Sequence, residues 1–217
     1  MRPVRTEKGL VRRTEILDAA EDLIHGQGFN RTGLEELLQE SGVTKGNFYF
    51  YFKSKEELGL AVVARATERW VQRTLPEVFS PAKEPLQRVF DFIDAIEKRF
   101  HEADCTKGCL FGNIGLELGD LHDGFRQQVE TAFRRWGEKI EETLGEIQPK
   151  IPAADRRRLA SFVVATMEGT ILVGKVHKRI EVVRDCFVEL KRHLTARCAP
   201  SGNASKRKTR GGSSAKT

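Results

Sequence analysis

Residues 32–55 read TGLEELLQESGVTKGNFYFYFKSK, and this stretch decides the fold. Leu34, Leu37 and Leu38 recur at the spacing of one helical face. Thr32 and Glu35 stand as a T-x-x-E capping box, which predicts a helix start at Thr32. Gly42 follows where a left-handed residue ends a helix at little steric cost. Thr44 can cap the next helix, which opens Lys45-Gly46-Asn47 and runs through Phe48 to Phe52. Ser54 and Glu57 make an S-x-x-E box that starts a third helix. Helix, glycine turn, helix is the arrangement that lays its second helix in a DNA major groove.

Thr44 and Lys45 occupy the start of that second helix, where side chains meet base edges, and Gly46 lets the backbone come close. Between Ser41 and Lys55 stand Lys45, Lys53 and Lys55 and no carboxylate. Positive charge beside such a helix suits phosphate contacts.

The run GVTKGNFYFYFKSKEEL, residues 42–58, resembles the helix-turn-helix signature of the TetR family of one-component repressors. Ile16-Leu17-Asp18-Ala19-Ala20 and then Gly28-Phe29 match the family's first helix. The resemblance implies phosphate contacts from Thr32, Tyr49, Tyr51 and Lys55, and base-edge contacts from Asn47 and Tyr49. Asn can pair bidentately with adenine, and an aromatic edge can meet a thymine methyl. Phe48 and Phe52 are expected in the core, Tyr49 and Tyr51 outside it. The resemblance also implies a double-stranded operator, a homodimer and a small organic effector.

Working outward, residues 1–8 form a basic arm and residues 9–56 a helix-turn-helix domain, its motif near residues 33–52. Helix 1 is expected from Gly9 to His25, with Gly26-Gln27-Gly28 as its stop. A fourth helix runs from Lys55 towards Arg73 and stops before Pro76. Residues 57–198 read as a helical effector-binding and dimerisation body. Phe125, Val129, Phe133, Trp136, Ile140, Leu144 and Ile147 step by four or three, one continuous apolar seam closed by Pro149 and Pro152. Leu159 to Val173 and Val183 to Leu194 give the last two helices, with Cys186 on the apolar stripe of the second. Gly169 and Gly174 beside Ile171, Leu172 and Val173 read as a dimer face or as intramolecular core, and the resemblance implies the dimer, as a four-helix bundle there. The fold class is all-α: no useful β-alternation and no internal repeat is present. Residues 199–217 are a basic tail of Gly, Ser, Lys and Arg.

The net charge of +6 is mostly that tail, whose five Lys and Arg leave the rest near neutral. An architectural DNA binder with a uniformly basic body is thereby disfavoured. An apolar content of 39% suffices for a packed core. No apolar run approaches the ~18 residues that span a bilayer, and no apolar signal segment opens the chain. A cytoplasmic protein without membrane partners is expected, its four cysteines as thiols.

The second constellation is CTKGCLFGNIGLELGD, residues 105–120. From Gly108 onward it is similar to a TetR subgroup that includes acrylate- and electrophile-responsive repressors, which implies a sensor role for Cys109. A helix start and the nearby Lys107 are expected to lower the Cys109 thiol pKa. The same cysteine reads equally as a small residue packed at a helix start. Cys105 and Cys109 lack the further His or Cys that a metal site needs. Phe92, Ile96, Cys109, Phe111, Asn113, Glu117, Phe133, Trp136 and Met167 are the candidates to line an effector pocket: apolar walls with a few polar groups. His25, His101, His122, His177 and His193 are scattered, and no Gly-rich phosphate loop, H-E-x-x-H or G-x-S-x-G occurs, so neither an enzyme nor a bound cofactor is expected.

Overall fold

The computed structural model describes residues 6–148 and 150–199, and every regular element among them is a helix. The arm before Thr6, Pro149 and the tail from Pro200 lie outside the described residues.

Helix α1 is Glu7–Gln27, opened by Thr6, whose Oγ1 accepts from Gly9 N–H at 3.2 Å. It overruns the expected stop at Gly26 and ends at Gly28, whose φ of 94° a side chain would resist. Helix α2 is Leu34–Ser41 and helix α3 is Lys45–Tyr51. Between them Gly42 takes the left-handed conformation, φ 61°, and Val43 N–H returns to Leu38 O at 3.1 Å. Thr44 Oγ1 caps α3 by accepting from Asn47 N–H at 3.3 Å. Ser54 Oγ caps α4, Lys55–Arg69, while Glu57 reaches back to Lys53 N–H at 2.7 Å.

One expected cap is corrected. Gly33, not Thr32, is the N-cap of α2. Thr32 is 1% exposed, and its hydroxyl donates to Gly28 O at 2.7 Å. The tertiary turn at Gly28 claims the side chain that the capping box would use.

Phe48 and Phe52 are fully buried in the same core cluster as Ile16, Leu17 and Leu37, so α3 is pinned by its inner face alone. At ~25 cal/mol per Å² each such ring contributes roughly 2–3 kcal/mol. Helix α4 then joins head to body, packing on α1 and on α8. Gly59 permits the crossing: a Cβ there would stand 2.6 Å from the Phe29 ring and 2.8 Å from that of Phe125. Arg65 adds ion pairs to Asp18 at 2.7 Å and Glu21 at 3.0 Å.

Pro76 does not stop this helix. A π turn at Trp70–Thr74 precedes it, and α5, Leu75–Val78, carries Pro76 in its first turn, where no N–H is needed.

The body holds α6 (Pro85–Glu102), α7 (Leu110–Leu118), α8 (Asp123–Leu144), α9 (Ala153–His177) and α10 (Ile180–Cys198). Trp70, Phe92 and Trp136 form its aromatic centre, with centroids 5.3 to 5.9 Å apart. The seam on α8 ends at Gly145 rather than Ile147, because Gly145 N–H closes back on Glu141 O and Glu142 O. Among the described residues α9 is the one helix long and apolar enough to cross a membrane by length and composition, a feature the apolar-run count misses. Its packing on α8 and α10 accounts for part of that composition, the inner face. Gly174 is part of this packing and not of an outer face, since a methyl there would strike Val183 and stand 3.2 Å from the Phe100 ring. Cys186 is exposed rather than core, and Cys198 is buried. On the outside of α9, Phe162, Leu172, Val173 and Val176 are 43% to 74% exposed.

Candidate DNA-reading helix and effector cavity

The outer face of α3 carries Thr44, Lys45, Gly46 and Asn47, all exposed. Tyr49 is 48% exposed, its ring edge-on to buried Phe48 at 5.3 Å. Phe50, which the sequence reading passed over, is 57% exposed and is the most open aromatic ring of the helix. Tyr51 lies half-buried on the core, edge-on to Phe50 at 5.0 Å, which corrects its expected place outside the core. Arg13 of α1 lies over Phe52 at 5.1 Å and brings its cation beside the motif.

Two expected phosphate contacts are turned inward. Thr32 is buried, as described. Lys55 Nζ donates to Phe29 O and Thr32 O, each at 2.9 Å, and sits 4.5 Å over the Phe29 ring. Its ammonium ties the turn between α1 and α2 to α4.

A cavity of about 250 Å³ lies where α1, α4, α6, α7, α8 and α9 converge. Of the expected lining, Ile96, Cys109, Phe111 and Trp136 are in its wall, joined by Trp70. Asn113 and Phe133 line a second space of about 270 Å³, which shares Cys109 and Glu168 with the first. Phe92 and Met167, at 0% and 1% exposure, are core behind the wall.

Glu117 is the clearest correction to the expected pocket. Its carboxylate faces the head, accepting from Phe29 N–H at 2.8 Å and Asn30 N–H at 2.7 Å. Helix α7 therefore has one end at the cavity, where Cys109 is its N-cap, and the other on the turn that precedes α2. Eight residues separate the two points, about 12 Å along a helix. At the cavity end His25 Nε2 lies 2.9 Å from Gly108 O, and Lys107 pairs with Asp22 at 3.1 Å. Burial holds the His25 pKa below its ordinary value, so the ring is neutral and its Nε2–H donates to that carbonyl.

The expected acidic thiol is also overturned. Burial, and then the Glu168 carboxylate beside it, push the Cys109 pKa well above the ordinary value, against the weaker pull of Gly112 N–H. Lys107 cannot compensate, because its ammonium is turned to Asp22. Cys105, for its part, is buried, and its thiol is likewise raised by desolvation. Among the described residues no three His, Cys, Asp or Glu side chains cluster in a way that could hold a metal ion.

Glu168 was missed at the sequence level, although a signal existed. It is the single charged residue between Leu159 and Gly174. An acid alone in an apolar helical run is expensive to bury and marks a site to inspect.

An all-α body beneath an exposed second helix of a helix-turn-helix defines a bacterial-type transcriptional regulator. Residues 16–62 match the family model for bacterial regulatory proteins of the tetR family, and residues 85–188 that for the C-terminal domain of LmrA/YxaF-like transcriptional regulators. An uncharacterised HTH-type transcriptional regulator in the lacX 3' region of Lactococcus lactis is 31% identical over 82% of this chain and 90% of its own length. The transcriptional repressor NemR of Escherichia coli is 30% identical over 56% of this chain and 61% of its own. The crystal structure of a regulatory protein TetR from Rhodobacter sphaeroides superposes with a TM-score of 0.75 at 27% identity, covering 84% of this chain and 98% of that one. The chain belongs to the TetR family of transcriptional regulators, whose members are not enzymes.

Proposed function

We propose that the chain is a dimeric, sequence-specific, DNA-binding repressor that leaves a palindromic operator when a small organic effector enters the cavity. The observation that carries this reading is the division of α3: Phe48 and Phe52 anchor it, while Lys45, Asn47, Tyr49 and Phe50 stand free. Lys45 and Tyr49 take phosphate and Asn47 a base edge. Phe50 adds an apolar contact of the kind a thymine methyl accepts. One three-helix head covers too little DNA for tight specific binding, so two copies read half-sites about one helical turn apart. The exposed apolar side chains of α9 supply the dimer face, together with α10. Head and body divide near residues 56 and 57, and the protein works in the cytoplasm on double-stranded DNA. The effector acts by population shift, favouring a head spacing that the operator rejects.

Fluorescence anisotropy against fragments of the protein's own promoter region tests this. Saturable binding to one palindrome, with a scrambled fragment at least about a thousandfold weaker, is expected. Equal affinity for both fragments would refute it. Phe162→Asp on the outer face of α9 should give a monomer by light scattering with its helical signal kept; an intact dimer would remove this dimer face.

A further inference from the structure

The acids in the cavity wall are paired, with one exception. Glu21 takes Arg65 and Arg69. Arg99 lies 4.6 Å over the Trp70 ring. Glu102 faces Lys98 at 3.9 Å, and His25 is satisfied by Gly108. Glu168 stands between the two spaces and forms no ion pair among the described residues: Arg69 is taken by Glu21, and Lys175, which also lines the second space, is turned to Lys107 O and Asn113 Oδ1 at 3.3 and 3.4 Å, while the Cys109 thiol lies beside the Glu168 carboxylate. Desolvation raises its pKa, the mark of a carboxylate held from water without a counter-ion. Leaving such a charge unpaired is costly, and a ligand that brings the missing charge recovers that cost on binding. The surrounding wall is aromatic: Trp70, Trp136, Phe100 and Phe111. Ring faces attract cations and stack on flat rings.

We infer that Glu168 is the charge-selecting residue of the cavity and that the effector it selects is an aromatic monocation, its ring among Trp70, Trp136 and Phe111 and its amine on the Glu168 carboxylate. This rests on the effector reading above, and it names the ligand class that reading leaves open.

The chain's two tryptophans, Trp70 and Trp136, both line the cavity, so intrinsic fluorescence reports its occupancy directly. Three probes of one ring shape separate charge from shape: 9-aminoacridine, a cation at neutral pH; acridine, neutral; and acridine-9-carboxylate, an anion. Titration calorimetry and tryptophan quenching on the full chain without DNA should place the cation about tenfold or more ahead of acridine, with the anion weakest. In Glu168→Gln the cation-over-neutral preference should collapse by about the same factor. Equal affinity for cation and neutral ring, a preferred anion, no quenching by any probe, or a preference that survives Glu168→Gln would overturn the inference. Should the variant fail to fold, the wild-type ranking of the three probes decides alone. Because charge preference is read without DNA, its failure leaves operator binding standing, and failure to find an operator leaves the preference standing.

Discussion

The carboxylate of Glu117 on α7 holds the main chain at Phe29, its Oε2 2.8 Å from the Phe29 nitrogen, and so fastens the helical body to the turn that leads into the helix-turn-helix pair. A second bond to Asn30 N–H, at 2.7 Å, makes the grip two-pronged. The Phe29 bond is part-buried and the Asn30 bond exposed, so solvent limits the two together to about 1–3 kcal/mol. Glu117→Ala should lower unfolding free energy by about 1–3 kcal/mol in urea. It should also blunt effector-induced release while operator affinity without effector falls less. Release as complete as in wild type would show that α7 does not carry the signal.

The two faces of α3 predict opposite failures. Lys45→Ala or Tyr49→Ala should abolish operator binding in anisotropy titrations and leave the unfolding free energy within the small range of surface substitutions, about ±0.5 kcal/mol. Phe48→Ala should cost about 3–5 kcal/mol, because it empties a fully buried site. Calorimetry together with the DNA titration separates loss of contact from loss of fold.

His25 sets an acid limit. Its pKa is held below the ordinary 6.5 by burial first, with Lys107 and Lys175 opposing charge and Glu21 and the Gly108 carbonyl favouring it. The unfolded chain therefore takes up the proton before the folded one does. The stability contributed by the neutral ring is complete above pH 6.5 and is lost as pH falls from there through the lowered folded value. Urea unfolding from pH 8 to pH 5 should show this decline, and His25→Gln should flatten it. An unchanged slope in the variant would place the titration elsewhere.

Alkylation should follow exposure and ionisation rather than the helix-start position of Cys109. Cys186 is exposed, whereas burial and Glu168 keep the Cys109 thiol protonated. With N-ethylmaleimide at neutral pH, peptide mass spectrometry should find Cys109 modified slowly, and faster as pH rises; Cys186, which lines the same groove as Phe162 on the proposed dimer face, should react first in the Phe162→Asp monomer. Rapid, selective modification of Cys109 at neutral pH would restore the electrophile-sensor reading.

What the sequence made legible was local. Gly42, Thr44 and Ser54 act within three or four residues of themselves, and each does in space what its spacing implies. The inner stripe of α3 followed for the same reason: Phe48 and Phe52 are one helical turn apart and must share a face. The misreadings at the candidate site are long-range. Thr32 and Lys55 looked free for phosphate because Gly28 and Phe29, which engage them, belong to a turn that the motif does not encode. Glu117 looked like a pocket residue because nothing near it in the chain indicates that its partners lie 87 and 88 positions away. Cys109 sits at a helix start as expected, yet its acidity is decided by tertiary burial first and then by Glu168 of α9. Helix α9 shows the same limit: its two apolar faces look alike in sequence, and only packing separates Gly174, inside, from Leu172, outside.

Helix α4 gives one flank to α1 and the other to α8, with Gly59 wedged between Phe29 and Phe125 at the crossing. A fragment cut after α4 would leave Val62, Val63 and Ala66 with a solvent-facing flank in place of the body that covers it, and a body cut before α4 would lose a wall of its cavity. The two halves should therefore melt as one cooperative unit, and a ligand that tightens the cavity should raise the temperature at which the distant helix-turn-helix comes apart.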